Sequence, residues 1–178
     1  MVLGGNIMSK KSKSKINIIL YAVALVLAVV AICMIFVDVS AIAKNGETGY
    51  VLTGLQATFG YSEETKLAGT LVYAQFSFMN LLVYILLIVG VVLTLLRLFK
   101  VAKSGLIDWV SIAALAAAAV LYFIMPSFVV YGKTWTGLVD TAIELGASKT
   151  LMVGAVVGGI TSALAAVSLL ANKFITKK

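Results

Sequence analysis

Four long apolar stretches, separated by segments that carry the charges, constrain this chain more than any other feature. Each is long enough for a membrane-crossing helix, which needs about 20 apolar residues to span a hydrocarbon core of roughly 30 Å. The chain is 62% hydrophobic and 12% charged, whereas soluble domains carry about 25% charged residues. The sequence therefore predicts an all-α membrane protein, a single domain that forms a four-transmembrane-helix bundle. The predicted helices cover residues 16–37, 73–96, 109–130 and 150–171.

The distribution of basic residues predicts on which side of the membrane each end lies. The tail 1–15, the link 97–108 and the tail 172–178 together hold ten of the 14 Lys and Arg residues. The loops 38–70 and 131–149 hold the other four. Because Lys and Arg are enriched in short cytoplasmic loops, both termini are expected in the cytoplasm. The predicted location is the plasma (cytoplasmic) membrane.

Two features near the amino terminus bear on where the protein begins. Residues 4–8 read Gly-Gly-Asn-Ile-Met, which a translated bacterial ribosome-binding site and start codon would encode. This gives the hypothesis that Met8 is the first residue and that the gene is bacterial. The Lys-rich tail, the apolar run and the sequence Ala41-Ile42-Ala43 also resemble a secretory signal peptide. Because the run exceeds the signal core of about 7–15 residues, we expect the first helix to be retained.

The first outer loop contains an apolar centre with β-forming character. Residues 49–61 mix β-forming side chains with glycine, which predicts a short β segment in this loop. Its larger side chains are too apolar for a freely solvated loop. They are therefore candidate contact residues, together with a tryptophan of the second loop. These candidates are Tyr50, Leu55, Phe59, Tyr61 and Trp135.

The second outer loop is predicted to contain a short helix. The helix would cover residues 138–145, with Thr136 or Asp140 as its amino-terminal cap and Gly146 at its end. This prediction follows from the preference for Thr and Asp before a helix and for Gly after it.

Helix four carries a strip of small residues at a spacing of four. Small side chains at this spacing allow another helix backbone to approach closely. The strip is interpreted either as packing within the chain, against helix one or three, or as a contact for self-association. Packing within the chain is the favoured interpretation. The strip consists of Gly154, Gly158, Ser162 and Ala166.

Helix two carries a polar stripe, Tyr73, Ser77, Asn80 and Tyr84, spaced so that all four share one helical face. Polar groups in a hydrocarbon environment need partners, so this face is expected to point into the bundle. Hydrogen bonding between helices is the favoured interpretation. The alternative is the wall of a ligand site or of a polar path.

Composition also restricts the chemistry that we expect. The chain lacks histidine and has one cysteine, Cys33, so the commonest general base and the best zinc ligand are missing. No phosphate-binding glycine loop and no metal-ligand spacing occurs in the sequence. We therefore expect no enzymatic activity, no cofactor and no metal. The net charge of +7 is explained by the positive ends of the helices, not by nucleic-acid binding.

A short inner link with a longer first and a shorter second outer loop resembles the layout of claudin-type tetraspan proteins. Those proteins carry a Trp…Gly-Leu-Trp pattern and paired cysteines in the first loop, and this chain has neither. The resemblance therefore implies no barrier function.

The function expected from the sequence is that of a non-enzymatic tetraspan protein acting through protein–protein contacts. It would be an accessory, assembly or self-associating protein, with the lipid bilayer and itself or another membrane protein as partners. One alternative is a small channel or transporter subunit with a polar path along helix two. The other is an extracytoplasmic ligand sensor or an immunity-type protein.

Overall fold

The computed structural model describes residues 10–45, 47–65, 69–101 and 104–176; the proposed start Met8 lies outside them. Within these residues, four helices are long and apolar enough to cross a membrane, which is the predicted number and indicates a multi-pass membrane protein. Two short helices lie between them. The long helices are α1 (Lys10–Cys33), α3 (Phe78–Leu98), α4 (Gly105–Ile124) and α6 (Val153–Thr176), and the short ones are α2 (Gly54–Phe59) and α5 (Lys133–Glu144).

The bounds of the long helices differ from the prediction by two to six residues at both ends, and each helix is shorter than predicted at the end where the outer loops attach. One 3₁₀ turn, Met34–Phe36, follows α1, and another, Met125–Phe128, follows α4. Helix α3 begins at Phe78 instead of residue 73. Its amino-terminal cap is Ser77, whose hydroxyl accepts a hydrogen bond from the backbone N–H of Asn80. The apolar residues before Ser77 belong to a strand.

The four long helices contact one another in a cyclic order. Helix α1 packs against α3 and α6, and α4 packs against the same two helices. On α1 the buried face consists of Ala24, Ala28 and Ala31, at a spacing of four and three residues and no more than 1% exposed. Such small side chains allow close approach of the neighbouring backbone.

Tyr122 of α4 fills the space that the small residues leave. Its side chain is fully buried, and its hydroxyl donates a 2.6 Å hydrogen bond to the carbonyl oxygen of Ala31. Its ring lies against Gly158 of α6, where a Cβ would come within 2.7 Å of the ring carbons. One side chain therefore connects α4 with both α1 and α6.

A polar cluster joins the helices at the end away from the outer loops. The Nε of Arg97, in the last turn of α3, lies 3.0 Å from a carboxylate oxygen of Asp108 in the first turn of α4. The Tyr21 hydroxyl of α1 donates a 3.2 Å hydrogen bond to the same oxygen. Only 13% of the Asp108 side chain is exposed, and its carboxylate is paired with both Arg97 and Tyr21.

Among the described residues, the two loops predicted to lie outside form two antiparallel sheets, so the prediction of one short β segment is wrong in extent. The first sheet has the order β2-β1-β6 and the second the order β3-β4-β5. In each sheet the third strand comes from the second half of the chain, so the sheets tie the two outer loops together. The strands are β1 (Asp38–Lys44), β2 (Glu47–Thr53), β3 (Tyr61–Thr65), β4 (Gly69–Gln75), β5 (Val130–Tyr131) and β6 (Ser148–Leu151).

The second loop contains a helix, as predicted, but α5 begins at Lys133 and its cap is Gly132. The hydroxyl of Thr136 donates to the Gly132 carbonyl within the first turn, so the predicted capping by Thr136 or Asp140 is wrong. Gly132 is required by a close approach, because a Cβ there would lie 1.9 Å from the carbonyl oxygen of Val72. Beyond α5 the chain turns at Gly146, whose φ of 93° suits glycine.

Candidate functional site

Three tyrosines from three strands stack on one another where the two sheets meet. The ring of Tyr73 in β4 lies 5.2 Å from that of Tyr50 in β2, with 15° between the ring planes. It also lies 5.6 Å from the ring of Tyr61 in β3, with 25° between the planes. Aromatic pairs at such distances stabilise the fold by more than the area they bury accounts for. We call Tyr50, Tyr61 and Tyr73 the tyrosine cluster.

The local strand structure explains why these side chains converge. Tyr61 pairs with Ala74, whereas the next residue, Ser62, pairs with Val72. Tyr73 is therefore the extra residue of a β-bulge, a feature that redirects a side chain. Tyr61 and Glu63 are two residues apart on β3, so they project from the same face of the sheet.

Glu63 joins the cluster through its carboxylate. The hydroxyl of Tyr61 donates a hydrogen bond to one oxygen of Glu63, and the hydroxyl of Tyr73 donates to the other at 3.3 Å. Because the hydrogen bond holds the neutral phenol next to a carboxylate, it raises the pKa of Tyr61 above its usual value. Burial likewise raises the pKa of Tyr50 above its usual value. These phenols therefore remain uncharged at neutral pH.

Tyr131 and Lys149 extend the site to the second outer loop. Tyr131 of β5 pairs with Ala74 of β4, beside the tyrosine cluster. The ammonium of Lys149 in β6 lies 5.1 Å from the centre of the Tyr131 ring. This cation–π contact joins the two sheets a second time, after the stacking of Tyr50 on Tyr73.

The arrangement combines aromatic faces with a carboxylate, which suits recognition of a cationic side chain by binding. The ring faces attract cations through their quadrupoles, and Glu63 supplies a negative charge at the same place. Among the residues that the structure describes, no group of three His, Cys, Asp or Glu residues is placed to hold a metal ion.

The structure separates the predicted contact residues into three groups. Tyr50 and Tyr61 meet in the tyrosine cluster. Leu55 and Phe59 lie on α2, 45% and 53% exposed, and α2 packs against α3 and the 3₁₀ turn after α1. Trp135 lies in α5, and its side chain is outside the part of the chain that the structure describes.

Sequence reasoning missed Glu63 and Tyr73 as members of the site. In the sequence Glu63 stands beside Glu64, a pattern typical of a solvated charge cluster in a loop, and Tyr73 is part of the predicted helix two. The alternation Tyr61-Ser62-Glu63 was the available signal, because strand residues two apart share a face. Nothing in the sequence indicated that β4 would bring Tyr73 to the same place.

The predicted polar stripe of helix two does not lie on one helical face, because Tyr73 lies in β4. The Ser77 hydroxyl donates to the carbonyl oxygen of Phe128 at 2.7 Å, and the Asn80 side chain donates to that of Ala57 at 2.8 Å. Both contacts fasten outer segments onto the beginning of α3. Tyr84, further along, is buried and meets the Tyr122 ring edge-on.

The buried polar groups do not form a continuous path along α3. A second polar pair, Thr94 and Ser111, lies nearer the other end, with 2.8 Å between the hydroxyl oxygens. Between Tyr84 and this pair, the side chains of Leu87 and Leu115 are fully buried. Apolar packing therefore interrupts the polar groups among the described residues of α3 and α4.

The small-residue strip of helix four is covered by the chain itself. Gly158 lies against the Tyr122 ring, and a Cβ at Gly154 would lie 2.7 Å from the carbonyl oxygen of Asp38. Ser162 and Ala166 are 0% and 6% exposed. The four residues therefore face neighbouring segments of the same chain.

Comparisons of the chain with protein-family models, with curated proteins and with solved structures found no match. The functional argument therefore rests on the geometry of the site alone.

Proposed function

We propose that this chain is a non-enzymatic accessory protein of a bacterial plasma membrane that binds another membrane protein through its outer sheets. The observation that carries the proposal is the tyrosine cluster with Glu63, held on two sheets that join both outer loops. Tyrosine is enriched at protein interfaces and contributes large contact area at low entropic cost. The site acts in this proposal by binding, with no chemical step.

The proposed topology is a four-helix bundle with both termini in the cytoplasm. Arg97, Lys100 and Lys173 lie at the helix ends away from the sheets, as the enrichment of basic residues in cytoplasmic segments predicts. Large apolar side chains are exposed where the helices meet the sheets, as expected for a surface that contacts lipid. They are Phe36, Leu55, Phe59, Phe76 and Phe78, each at least 45% exposed.

The recognised group in this proposal is a lysine or arginine side chain of the partner. Such a side chain would lie against the rings of the tyrosine cluster and pair with Glu63. The outer loops as a whole contain six acidic and four basic residues, which also favours a basic partner surface. Self-association through helix four is not favoured, because the small-residue strip is buried within the chain.

Site-specific photo-crosslinking in the native membrane tests the proposal. In one variant of the chain a benzophenone amino acid replaces Tyr61. In a second variant it replaces Leu138, an exposed residue on α5. We expect one dominant protein adduct from position 61 that is absent from position 138. Adding Glu63→Gln should reduce the adduct at least fivefold, while Glu64→Gln, the matched control on the opposite strand face, should leave it unchanged.

Adducts to lipid alone, or a protein adduct insensitive to Glu63→Gln, would contradict recognition of a basic partner at this site. A dominant adduct to a second copy of the chain would replace the accessory role with self-association through the outer sheets.

A further inference from the structure

An apolar groove runs between α4 and α6 on the outside of the helices. Its volume is about 380 Å³. Alanines of α4 and α6 face each other across the groove. Their short side chains leave this space on the side of the two helices that faces away from the bundle. The walls include Ala116, Val120 and Phe123 of α4 and Ala163, Val167 and Leu170 of α6.

A different kind of contact lies near each end of the groove. At the outer end the Phe123 ring covers Gly159, where a Cβ would lie 2.8 Å from it. At the inner end the ammonium of Lys173 lies 4.1 Å from the centre of the Trp109 ring. The same ammonium donates a 3.0 Å hydrogen bond to the carbonyl oxygen of Gly105.

The inner pair continues the two walls of the groove. Trp109 precedes Ala116 by seven residues and Lys173 follows Leu170 by three, so each lies on the same helical face as the wall residues of its helix. The charge at this end is positive, because Asp108 is paired with Arg97 and Lys173 adds a further cation. A cation and an indole ring therefore lie about one helical turn beyond the inner end of the apolar groove.

The length of the groove matches one leaflet of a bilayer. Its wall on α4 runs from Ile112 to Phe123, and 11 residues at 1.5 Å each give about 16 Å. Half of a hydrocarbon core of roughly 30 Å is about 15 Å. Because Phe123 lies one residue before the end of α4, the groove extends past the middle of the span. An acyl chain of about 15 Å that starts beside Trp109 would therefore reach about as far as Ala119.

We propose that this groove binds an acyl chain of an anionic phospholipid, with the lipid phosphate at Lys173 beside Trp109. Basic residues between transmembrane helices on the cytoplasmic side bind anionic head groups, and the apolar walls supply the surface for the chain. The proposed orientation of the protein places this lipid in the cytoplasmic leaflet. The site itself does not depend on partner binding at the tyrosine cluster.

Quenching of tryptophan fluorescence by brominated lipids tests the site in the full-length protein. The chain has two tryptophans, so a Trp135→Phe background leaves Trp109 as the reporter. The protein is placed in nanodiscs that contain phosphatidylglycerol or phosphatidylcholine brominated near the glycerol end of the acyl chains. Half-maximal quenching should require about a fivefold lower mole fraction of phosphatidylglycerol than of phosphatidylcholine. This factor corresponds to the attraction of one basic residue to an anionic membrane surface.

Matched substitutions separate this site from general surface charge. Lys173→Gln should abolish the preference for the anionic lipid, whereas Lys100→Gln, which removes the same charge from the exposed link between α3 and α4, should keep it. Ala163→Leu should fill the groove and weaken quenching by both lipids. The control Ala117→Leu, on an exposed part of α4 outside the groove, should leave quenching unchanged. If Ala163→Leu does not fold, Ala116→Leu on the opposite wall provides a second variant that fills the groove.

Equal quenching by the two lipids, or an anionic preference that survives Lys173→Gln, would overturn the proposal. Filling variants that quench as the parent does would also overturn it. Absence of quenching together with two protein copies per disc would assign the groove to a second copy of the chain instead of a lipid.

Discussion

At the scale of single residues, Glu63 determines the chemistry of the outer site. It accepts hydrogen bonds from two phenols of the tyrosine cluster, whereas its neighbour Glu64 projects from the opposite strand face. The two glutamates are adjacent in the sequence and look equivalent there. Their difference arises only from strand geometry, which makes Glu64 a natural control.

Replacement of Glu63 by Gln should lower the pKa of Tyr61 towards the usual tyrosine value of about 10. The physical reason is that the carboxylate raises this pKa by accepting a hydrogen bond from the neutral phenol and by its negative charge. Tyrosinate absorbance near 295 nm, followed from pH 8 to 12, measures the change. Glu64→Gln should leave the titration curve unchanged, and a curve that moves equally in both variants would contradict the assignment.

The same phenols make stability depend on alkaline pH in a defined direction. In the folded protein the pKa values of Tyr50 and Tyr61 lie above the usual value, so the unfolded chain releases these protons first. The unfolded state is thereby favoured as pH rises above about 10. The contribution of these groups to stability is therefore complete below pH 10 and declines above it, less steeply in the Glu63→Gln variant.

At the scale of elements, the contact between α4 and α6 depends on the absence of a side chain at Gly158. The neighbouring Tyr122 ring is fully buried, and its hydroxyl is held by the carbonyl of Ala31, so the ring has no space into which to move. Close helix contact at this point follows from one glycine and one tyrosine together.

Gly158→Ala should lower the free energy of unfolding by about 1–3 kcal/mol, the usual cost of overpacking a core. Gly137 of α5 offers the matched control, since a Cβ there meets no atom within 4 Å. Gly137→Ala should raise stability by up to about 1 kcal/mol through helix propensity. Unfolding in mixed micelles, followed by circular dichroism, measures both, and a Gly158→Ala protein as stable as the parent would contradict the packing argument.

The elements also show which parts of the fold could be predicted from the sequence. Each long helix could be predicted because its signal, about 20 consecutive apolar residues, is local. The third strand of each sheet could not, because β1 pairs with β6 and β4 pairs with β5 across long separations in the chain. Strand β4 was also hidden, since its apolar residues run directly into α3 and read as one continuous helix.

The candidate site was predictable to the same extent as its elements. Tyr50 and Tyr61 were noticeable because large aromatic side chains are unusual in a solvated loop. Tyr73 and Glu63 were not, because their places follow from a bulge in β4 and from the register of β3 against it. Strands β3 and β4 are consecutive in the chain, but the apolar residues of β4 read as part of helix two, so the sequence pattern did not indicate a strand that pairs with β3.

At the scale of the whole molecule, the two ends of the helices differ in character. One end carries the two sheets and the tyrosine cluster, and the other carries Arg97, Lys100 and Lys173. This polarity is the physical basis of the proposed orientation, because a basic end is retained in the cytoplasm. The proposed orientation also assigns a side of the membrane to the proposed partner site and to the proposed lipid site.

Cysteine labelling in right-side-out spheroplasts tests the orientation directly. In a Cys33→Ser background, which removes the only native cysteine, single cysteines replace Glu64 on β3 and Lys100 after α3, both of which are exposed. A membrane-impermeant maleimide should label Glu64→Cys in intact spheroplasts and Lys100→Cys only after the membrane is opened. The reverse pattern would place the tyrosine cluster in the cytoplasm and the Lys173 end of the groove in the outer leaflet. Labelling of both positions without permeabilisation would mean that the chain inserts in two orientations, which a single outer partner site could not accommodate.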